Sequence, residues 1–567
     1  MANGSTLQVS RSRACCAQGR LLPTILNTIK RGATFLIFLN GLRVMASEKV
    51  GIIGYGVYVP VQRIRSEAIV RAREKKRKDL PNFLDKVKNG LMLYEKSVAS
   101  LSEDSITIAT EAALNAVEMA GVHPSKIETV AVGSESKPYA VGTIARHVAS
   151  FLGIGNNVYV ADLEGACNSG MQSNSFVESQ IMSGRINYGL AIGTDVAQAP
   201  VGDPLEYACG AGAGAFLLGR GDPVASIVDT AAYSSLTLDF WRRDGAAVPS
   251  HFGRTTVEAY MSHVIGAIES LLLKNPELSL MDFDYITFHQ PSGYMPMKTC
   301  KVLSQPSIDM LEHPELENRI RLTPEFIDEK VRPWLRVLDT GNTYAASTLI
   351  STCSILDHAK PGQNVLAVSY GSGAYAVATW FQVDDAILRR RGRTPAVGDY
   401  LIRRRELDVI AYDRLMKFRN GVVRQRLAAP RIIGEIETYN GVMLTFTLCN
   451  GCERVFYPSR ERCLEFDCKG PVEQHTLPKN ARLLSARRLT LKDRLLSNFD
   501  LLKQGKVLIV DATLDELKPG TELESMIRRL GNEGRSGLIL YGPAYRPAFR
   551  SKLLKKRAET EDVMTRL

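Results

Sequence analysis

The feature that most constrains the fold is an alternation of strand-like and helix-like segments between residues 49 and about 383. Apolar runs such as KVGIIGYGVYVP, IETVAVGSES and VYVADL have the composition of buried strands, and EDSITIATEAALNAVEMAG has the spacing of an amphipathic helix that ends at Gly121. The rhythm recurs further on, in TTVEAYMSHVIGAIESLLLKN and FDYITFHQPSG. Alternating elements favour mostly parallel sheets, so we predict a duplicated, layered α/β/α/β/α fold.

The length of 567 residues is too great for one ordinary core. After residue 430 the composition changes to a cysteine-bearing segment and short strand-like runs. The basic, nearly acid-free start predicts a poorly ordered extension, although a signal or transit peptide is an alternative. The predicted division is an extension (1–44), two α/β halves (45–220 and 221–420), a linker (421–430), a ribbon (431–480) and a small β-barrel (481–567).

The charge and cysteine content limit the class of protein. The net charge of +11 suits nucleic acid, an anionic surface or a phosphorylated cofactor such as coenzyme A, although much of the excess lies in the tails and in arginine runs at 389–405. The carboxy-terminal region lacks the alternating basic and aromatic residues that base stacking needs, so we expect no nucleic acid partner. No apolar run is long enough to predict a membrane span. Ten cysteines without a secreted disulfide pattern favour the reducing cytoplasm.

Four polar side chains lie where predicted strands end or helices begin. Glu135 and His289 follow apolar strands, Cys167 lies at a strand-to-helix turn, and Asn342 lies in a loop before a helix. Each has a simpler structural interpretation. These are a small buried residue for Cys167, a capping or paired carboxylate for Glu135, a core histidine for His289 and an N-cap for Asn342. The ends of strands in one α/β sheet meet at a common edge, however, so we expect the four to converge.

These residue types together suit acyl transfer. A cysteine at a helix N-terminus is expected to be a thiolate, which attacks a thioester and holds its acyl group. A carboxylate of tuned pKa can move a proton. Imidazole and amide N–H groups can stabilise a developing oxyanion.

Residues 48–420 resemble a known family, 3-hydroxy-3-methylglutaryl-CoA synthase of the archaeal and bacterial type, within the thiolase superfamily. The resemblance depends on ordered motifs: VGIIGYGVYVP, EDSITIATEAALNA, VGSESKPYAV, ADLEGACNSG, DPLEYACGAGAGAFLLG, DFWRRDG, FHQPSGYMPMK, GNTYAAS, SYGSGA and YDRLMKFRNG. It implies a thiolase-like fold, CoA thioester substrates and a homodimer.

The resemblance also implies site roles. Cys167 matches the acetylated cysteine, Glu135 the acid/base that deprotonates the acetyl methyl group, and His289 the histidine that orients the acceptor. The implied reaction joins this acetyl group to acetoacetyl-CoA, and water then releases 3-hydroxy-3-methylglutaryl-CoA. Positions in the substrate and CoA pocket are matched by Asn342, Tyr344, Ser372, Gly373 and Lys298.

Two related enzyme families differ from this chain at the candidate catalytic positions. A thiolase needs a second cysteine where this chain has SYGSGA, and fatty-acid ketoacyl synthases lack the glutamate that Glu135 supplies. The motif EGACNSG departs from the family by placing Asn168 and Ser169 after the nucleophile, so another acceptor stays open. A non-catalytic scaffold is the third alternative.

Four cysteines are clustered near the carboxy terminus. The spacing Cys449-x2-Cys452-x10-Cys463-x4-Cys468 suits two knuckles that hold one tetrahedral Zn²⁺ ion, although the x4 pair is looser than usual. A ribbon without metal is the alternative. With the following strands, this region resembles zinc-ribbon/OB-fold accessory proteins that hold a thiolase beside a synthase. The resemblance implies a thiolase partner or a built-in CoA-binding lid.

Overall fold

The computed structural model describes residues 49–419, 445–456, 461–476, 479–486, 508–532, 538–550 and 552–553, without 197–198, 247, 307–310 and 374. The expected extension (1–44) and linker (421–430) lie outside the described residues. No helix in the described part of the chain has both the length and the apolarity to span a bilayer.

The strands are β1 (Val50–Tyr58), β2 (Gln62–Arg65), β3 (Glu95–Val98), β4 (Thr129–Gly133), β5 (Tyr159–Leu163), β6 (Tyr188–Val196), β7 (Ala211–Arg220), β8 (Ala225–Ser234), β9 (Phe240–Trp241), β10 (Ser250–His251), β11 (Tyr285–Phe288), β12 (Asn364–Gly371), β13 (Tyr375–Val383), β14 (Arg405–Glu406), β15 (Thr445–Cys449), β16 (Val455–Phe456), β17 (Val472–Thr476), β18 (Asn480–Arg482), β19 (Glu522–Asn532) and β20 (Ile539–Pro547).

The α-helices are α1 (Ser66–Arg73), α2 (Leu80–Asp85), α3 (Ser105–Ala120), α4 (Ile144–Phe151), α5 (Ser169–Met182), α6 (Gly253–Lys274), α7 (Tyr294–Ser304), α8 (Glu317–Ile320), α9 (Pro324–Phe326), α10 (Val337–Thr340), α11 (Ser347–Leu356), α12 (Ala386–Arg390), α13 (Val397–Ile402) and α14 (Val409–Arg419). Short 3₁₀ and π turns connect several of them.

The central sheet repeats one pattern of strands. Its order is β11-β12-β13-β8-β1-β7-β6-β4-β5. In the first half β1, β7 and β6 are antiparallel neighbours, and β4 and β5 continue the sheet in parallel. In the second half β8, β13 and β12 are antiparallel neighbours, and β11 continues in parallel. The repeat confirms the predicted duplication, and the halves meet through a short β1–β8 pairing.

The inner helices bring the two halves together. Every residue of α11 is buried, as expected for the middle layer of a layered fold. Glycine is required where α5 meets the segment before α11, since a Cβ built at Gly170 would lie 2.2 Å from the carbonyl oxygen of Ala345. A Cβ at Gly193 would meet the same oxygen at 2.2 Å. These close approaches place the start of α5 beside the loop that precedes α11.

The carboxy-terminal region forms two small sheets. β15, β16 and β17 carry the cysteine cluster, and β18, β19 and β20 form an antiparallel sheet, which we call the C-terminal sheet. Side chains of Ile527, Ile539 and Tyr541 belong to the same apolar core as the first α/β half. The C-terminal sheet therefore packs directly on the α/β core, whereas closure into the expected OB-type barrel stays a prediction.

Candidate active site

Cys167 lies between β5 and α5, in a tight turn. Ala166 adopts a φ of 47°, which turns the chain sharply before the helix. The Ser169 hydroxyl donates a hydrogen bond of 2.6 Å to the Ala166 carbonyl and supports the turn. The Cys167 side chain is only 7% exposed and packs with Ala199, Cys209 and Tyr344.

Glu135 follows β4, the parallel neighbour of β5, so strand pairing brings its loop to the Cys167 turn. The Cys167 thiol lies beside the Glu135 carboxyl group, close enough that each shifts the pKa of the other, and Glu135 Oε1 has no hydrogen-bond partner within the described residues. Lys137 does not pair with Glu135; it forms an ion pair with Glu164 and so joins the two loops. The structure therefore brings the predicted nucleophile and the predicted base into contact.

Burial controls the protonation of this pair. Desolvation, with the nearby Asp195 carboxylate, raises the pKa of Glu135 to about 8. Desolvation and the adjacent Glu135 raise the pKa of the Cys167 thiol well above its usual value. The expected thiolate is therefore wrong for the unliganded site, because burial beside a carboxylate outweighs the helix N-terminus. Cys167 is a neutral thiol next to a carboxyl group that titrates near neutral pH.

Asp195, at the end of β6, organises the site, and sequence reasoning missed it. Its Oδ1 accepts hydrogen bonds from the backbone N–H groups of Glu135 (2.8 Å) and Ser136 (2.9 Å) and from the Ser134 hydroxyl (3.0 Å). Its Oδ2 accepts the Ala345 N–H at 2.9 Å. One carboxylate thus joins the Glu135 loop to the loop of the second half. The signal was an aspartate directly after the apolar run YGLAIG.

Asn342 and Tyr344 reach the site from the second half. Asn342 pairs through its backbone with Cys209, and its Oδ1 accepts the Tyr344 N–H at 2.9 Å. This contact stabilises Tyr344 at a φ of 48°. The Tyr344 hydroxyl lies 3.1 Å from the Cys209 sulfur. Burial raises the pKa of Cys209 to about 11, so this second cysteine, like Cys167, is a neutral thiol.

His289 follows β11, which lies at the opposite end of the central sheet from β5, the strand that leads to the Cys167 turn. Its side chain is 1% exposed, and burial lowers its pKa to about 3, so the imidazole is neutral at physiological pH. Its Nδ1 has no hydrogen-bond partner within the described residues. The backbone of β12 lies between His289 and Cys167: Val368 accepts the His289 N–H at 2.8 Å, and a Cβ at Gly371 would lie 2.1 Å from the Gly165 carbonyl oxygen.

A second buried aspartate, also missed, holds the loop after β12. Asp239 accepts hydrogen bonds from the hydroxyl groups of Ser372 (2.9 Å) and Tyr370 (3.1 Å) and from the Gly373 N–H (3.2 Å). The motif DFWRRDG, which begins with this residue, was its only signal. Lys298 was also predicted to lie in the pocket, but the structure gives no contact between it and the site residues described above. Lys298 is half-buried, and its Nζ atom lies 5.6 Å from the centre of the Tyr294 ring.

The cysteine cluster forms a separate candidate metal centre. The sulfur atoms of Cys449, Cys452, Cys463 and Cys468 all lie within 4.8 Å of one another. The Cys449–Cys468 and Cys452–Cys463 sulfurs are 3.5 and 3.6 Å apart. These distances are far from a disulfide bond and near the edge of about 3.8 Å that a tetrahedron with Zn–S bonds of about 2.3 Å would have. Four thiol groups in this arrangement fit a tetrahedral, thiophilic metal.

The comparisons with known proteins agree with this geometry. A family model described as "Thiolase, N-terminal domain" matches residues 94–207. The hydroxymethylglutaryl-CoA synthase of Methanopyrus kandleri is 42% identical over 356 residues, which are 63% of this chain and 93% of that protein. The enzyme of the same name from Archaeoglobus fulgidus is 41% identical over 64% of this chain and 97% of that protein.

Solved structures share the fold. A structure of MvaS in complex with 3-hydroxy-3-methylglutaryl coenzyme A has a TM-score of 0.58 at 24% identity and covers 65% of this chain and 92% of that one. A structure of an HMG-CoA synthase complexed with CoA has a TM-score of 0.54 at 22% identity and covers 65% and 90%. With relatives about 40% identical over nearly their whole length, the chain belongs to the hydroxymethylglutaryl-CoA synthase family, within the thiolase-like fold.

Proposed function

We propose that this protein joins an acetyl group on Cys167 to acetoacetyl-CoA and releases 3-hydroxy-3-methylglutaryl-CoA. The observation that carries the proposal is the position of the buried Cys167 thiol beside the buried Glu135 carboxyl group, where each shifts the pKa of the other. A nucleophile and a proton acceptor in contact, away from water, are what acyl capture followed by carbanion formation requires. The close relatives favour this reaction over a different acceptor or a non-catalytic scaffold.

In the first step the Cys167 sulfur attacks the thioester carbonyl of acetyl-CoA. The new S–C bond replaces the bond to the CoA sulfur, and the thiol proton is balanced by the proton that the departing CoA takes up. Cys167 is neutral at rest, so the proton must leave as the sulfur attacks. Substrate binding excludes the remaining water and favours this concerted transfer.

In the second step Glu135 removes a proton from the acetyl methyl group. The resulting carbanion forms a C–C bond with the keto carbon of acetoacetyl-CoA, and the oxygen of that carbonyl takes up a proton. A pKa of about 8 suits Glu135 to accept and return a proton near neutral pH. The neutral His289 can hold the acceptor carbonyl through an N–H hydrogen bond without carrying charge into the pocket.

In the third step water cleaves the thioester between Cys167 and the new acyl chain. This hydrolysis restores the Cys167 thiol, gives the product its free carboxylate and releases one proton to solvent. Asn342, Tyr344, Ser372 and Gly373 surround the acyl and pantetheine portions in this proposal, while Lys298 would contact CoA at the periphery. Asn342 and Tyr344 are supported by their position in the loop that Asp195 holds. Ser372 and Gly373 are supported by their hydrogen bonds to Asp239.

Labelled acetyl-CoA tests the proposal directly. The protein should acquire one acetyl group on Cys167, found by peptide mass spectrometry, and should lose it when acetoacetyl-CoA is added, with one free CoA released per product. A panel of other 3-ketoacyl-CoA thioesters serves as the matched control for the acceptor. Lack of any Cys167 adduct would contradict the enzymatic proposal, and turnover with another acceptor alone would contradict the named substrate.

The remaining proposals concern assembly. We infer a Zn²⁺ ion at the four cysteines, which would stabilise the ribbon, and a homodimer that uses the edge strand β5, where Tyr159 is 65% exposed. An unpaired strand edge with an apolar aromatic side chain is suited to association. The family resemblance supports a thiolase partner, and the cysteine content supports a cytoplasmic location. Metal analysis and light scattering of the purified chain test the first two.

A further inference from the structure

The C-terminal sheet makes two contacts near the loop that carries Glu135, one within the loop and one at the start of α3. On one side, the Ile539 N–H donates a hydrogen bond of 2.6 Å to the hydroxyl group of Tyr139, four residues after Glu135. On the other side, the Tyr541 hydroxyl donates to Asp104 Oδ2 at 2.7 Å. The two contacts come from neighbouring positions on β20, so one strand reaches two points around the Glu135 loop.

The contact at Asp104 is continuous with that loop. Asp104 caps α3 by accepting the Thr107 N–H at 3.0 Å. The next residue, Ser105, donates through its hydroxyl group to the carbonyl of Ser136 at 2.8 Å. Ser136 is the neighbour of Glu135. A displacement of Asp104 would therefore move Ser105 and, through its hydrogen bond to Ser136, the backbone next to Glu135.

Aromatic packing strengthens the contact at Tyr139. Its ring stacks on His147 with centroids 6.2 Å apart. Tyr541 packs on the same face of α4, with its ring centroid 5.8 Å from His147 and 5.7 Å from Phe151. Tyr139, His147, Phe151 and Tyr541 form one cluster, so movement of β20 would move the end of the Glu135 loop.

A buried ion network fixes the sheet itself to the core. Arg528 of β19 is 0% exposed and lies 3.2 Å from Glu111, 3.5 Å from Asp511 and 2.9 Å from the Tyr58 hydroxyl. Arg546 of β20 adds an ion pair to Glu111 at 3.4 Å. Loss of the Arg528 guanidinium with the sheet in place would leave buried carboxylates without that partner, which is strongly unfavourable. The sheet is therefore a rigid platform and not a loosely attached module.

We propose that the C-terminal sheet positions the Glu135 carboxyl group for the condensation step, through the Tyr541–Asp104 and Ile539–Tyr139 contacts. Tyr541 and Tyr139 are then positioning residues, because neither touches the reacting atoms. The inference rests on the proposed function and goes beyond it by giving the carboxy-terminal region a direct part in catalysis. Acetylation of Cys167 does not require the Glu135 carboxyl group to be aligned with the acetyl methyl group, whereas condensation does.

The test compares two tyrosine-to-phenylalanine variants of the full chain. Tyr541→Phe removes the hydrogen bond to Asp104, and Tyr545→Phe is the matched control, four residues along β20 and packed on Leu483 and Leu523. The acetylation rate should stay within about two-fold of wild type in both. The kcat for condensation should fall at least about five-fold in Tyr541→Phe only, with KM for the acceptor unchanged, since misalignment of a base lowers the chemical step.

Tyr139→Phe is the second variant, in case Tyr541→Phe folds poorly, and should reproduce the same split between acetylation and condensation. Equal loss of both steps, or condensation at the wild-type rate in both Tyr541→Phe and Tyr139→Phe, would overturn the inference. Wild-type protein that acetylates but never condenses would overturn the proposed function, and the inference with it. The two failures are therefore distinguishable.

Discussion

The two α/β halves use equivalent positions for opposite chemistry. Glu135 follows β4 and His289 follows β11, and these strands occupy the same place in the repeated pattern. Burial raises the pKa of Glu135 to about 8, with an added contribution from Asp195, and lowers the pKa of His289 to about 3. Burial disfavours the charged form of each group, so one half presents a tunable acid and the other a neutral imidazole.

The residues that precede helices α5 and α11 also differ between the two halves. Cys167 precedes α5 in the first half and follows Ala166, which has a positive φ; Tyr344 precedes α11 in the second half and has a positive φ itself. In the proposed function the first half supplies the nucleophile and the base, and the second supplies hydrogen-bonding groups that line the pocket. A duplicated scaffold gives matched positions, and the local neighbours of each position decide what it does. Four experiments test this division of labour.

Replacement of the nucleophile should have the largest effect. Cys167→Ala should abolish the acetyl-enzyme and reduce product formation by at least about 10³-fold, because no other group can hold the acetyl chain. Cys209→Ala is the matched control, since Cys209 is buried in the same cluster but its sulfur contacts the Tyr344 hydroxyl at 3.1 Å. Intact-protein mass spectrometry after incubation with acetyl-CoA measures the result. Acetylation that persists in Cys167→Ala would assign the nucleophile elsewhere.

Replacement of the base should separate the two steps. Glu135→Ala should still acetylate, because loss of the carboxylate removes a group that raises the pKa of Cys167. Condensation should fall by about 10²–10⁴-fold, the usual contribution of a positioned base. Stopped-flow assays of the two half-reactions check the split. Equal loss of both half-reactions would contradict the role proposed for Glu135.

The histidine of the second half should matter less. His289→Asn keeps a hydrogen-bond donor of similar length, and His289→Ala removes it. We expect His289→Ala to lower condensation by about 10–100-fold and to raise KM for acetoacetyl-CoA, while acetylation stays near wild type. Partial recovery in His289→Asn would show that a neutral donor is sufficient. A loss of acetylation equal to the loss of condensation would remove the distinction between the halves.

The pH profile has the smallest expected effect and is the most specific. The carboxylate form of Glu135 is the active base, so condensation by pre-acetylated enzyme should rise as the pH passes through about 8. The ionised fraction grows about ten-fold between pH 7 and pH 9 for such a pKa. His289, with a pKa of about 3, should add no step near the ordinary histidine value of about 6.5. A flat profile, or a second step near pH 6.5, would contradict these protonation states.

Much of the fold could be predicted from local patterns. The strand and helix periodicity between residues 49 and 383 predicted the α/β class and its duplication, because each element depends on its own apolar spacing. Cys167, Glu135 and His289 were selected as candidates because they lie near the ends of apolar runs. Asp195 and Asp239 also follow or begin such motifs, but nothing local indicated that each would gather donors from distant loops.

The sequence by itself determined the order of the elements, the residue types at their ends and the spacing of the four carboxy-terminal cysteines, since these depend on near neighbours along the chain. Only the tertiary structure decided that Cys167 is a neutral thiol, that Asp195 joins the two halves and that Tyr541 lies over Asp104. Protonation follows desolvation, and desolvation depends on which residues, hundreds of positions apart, exclude water from the same place.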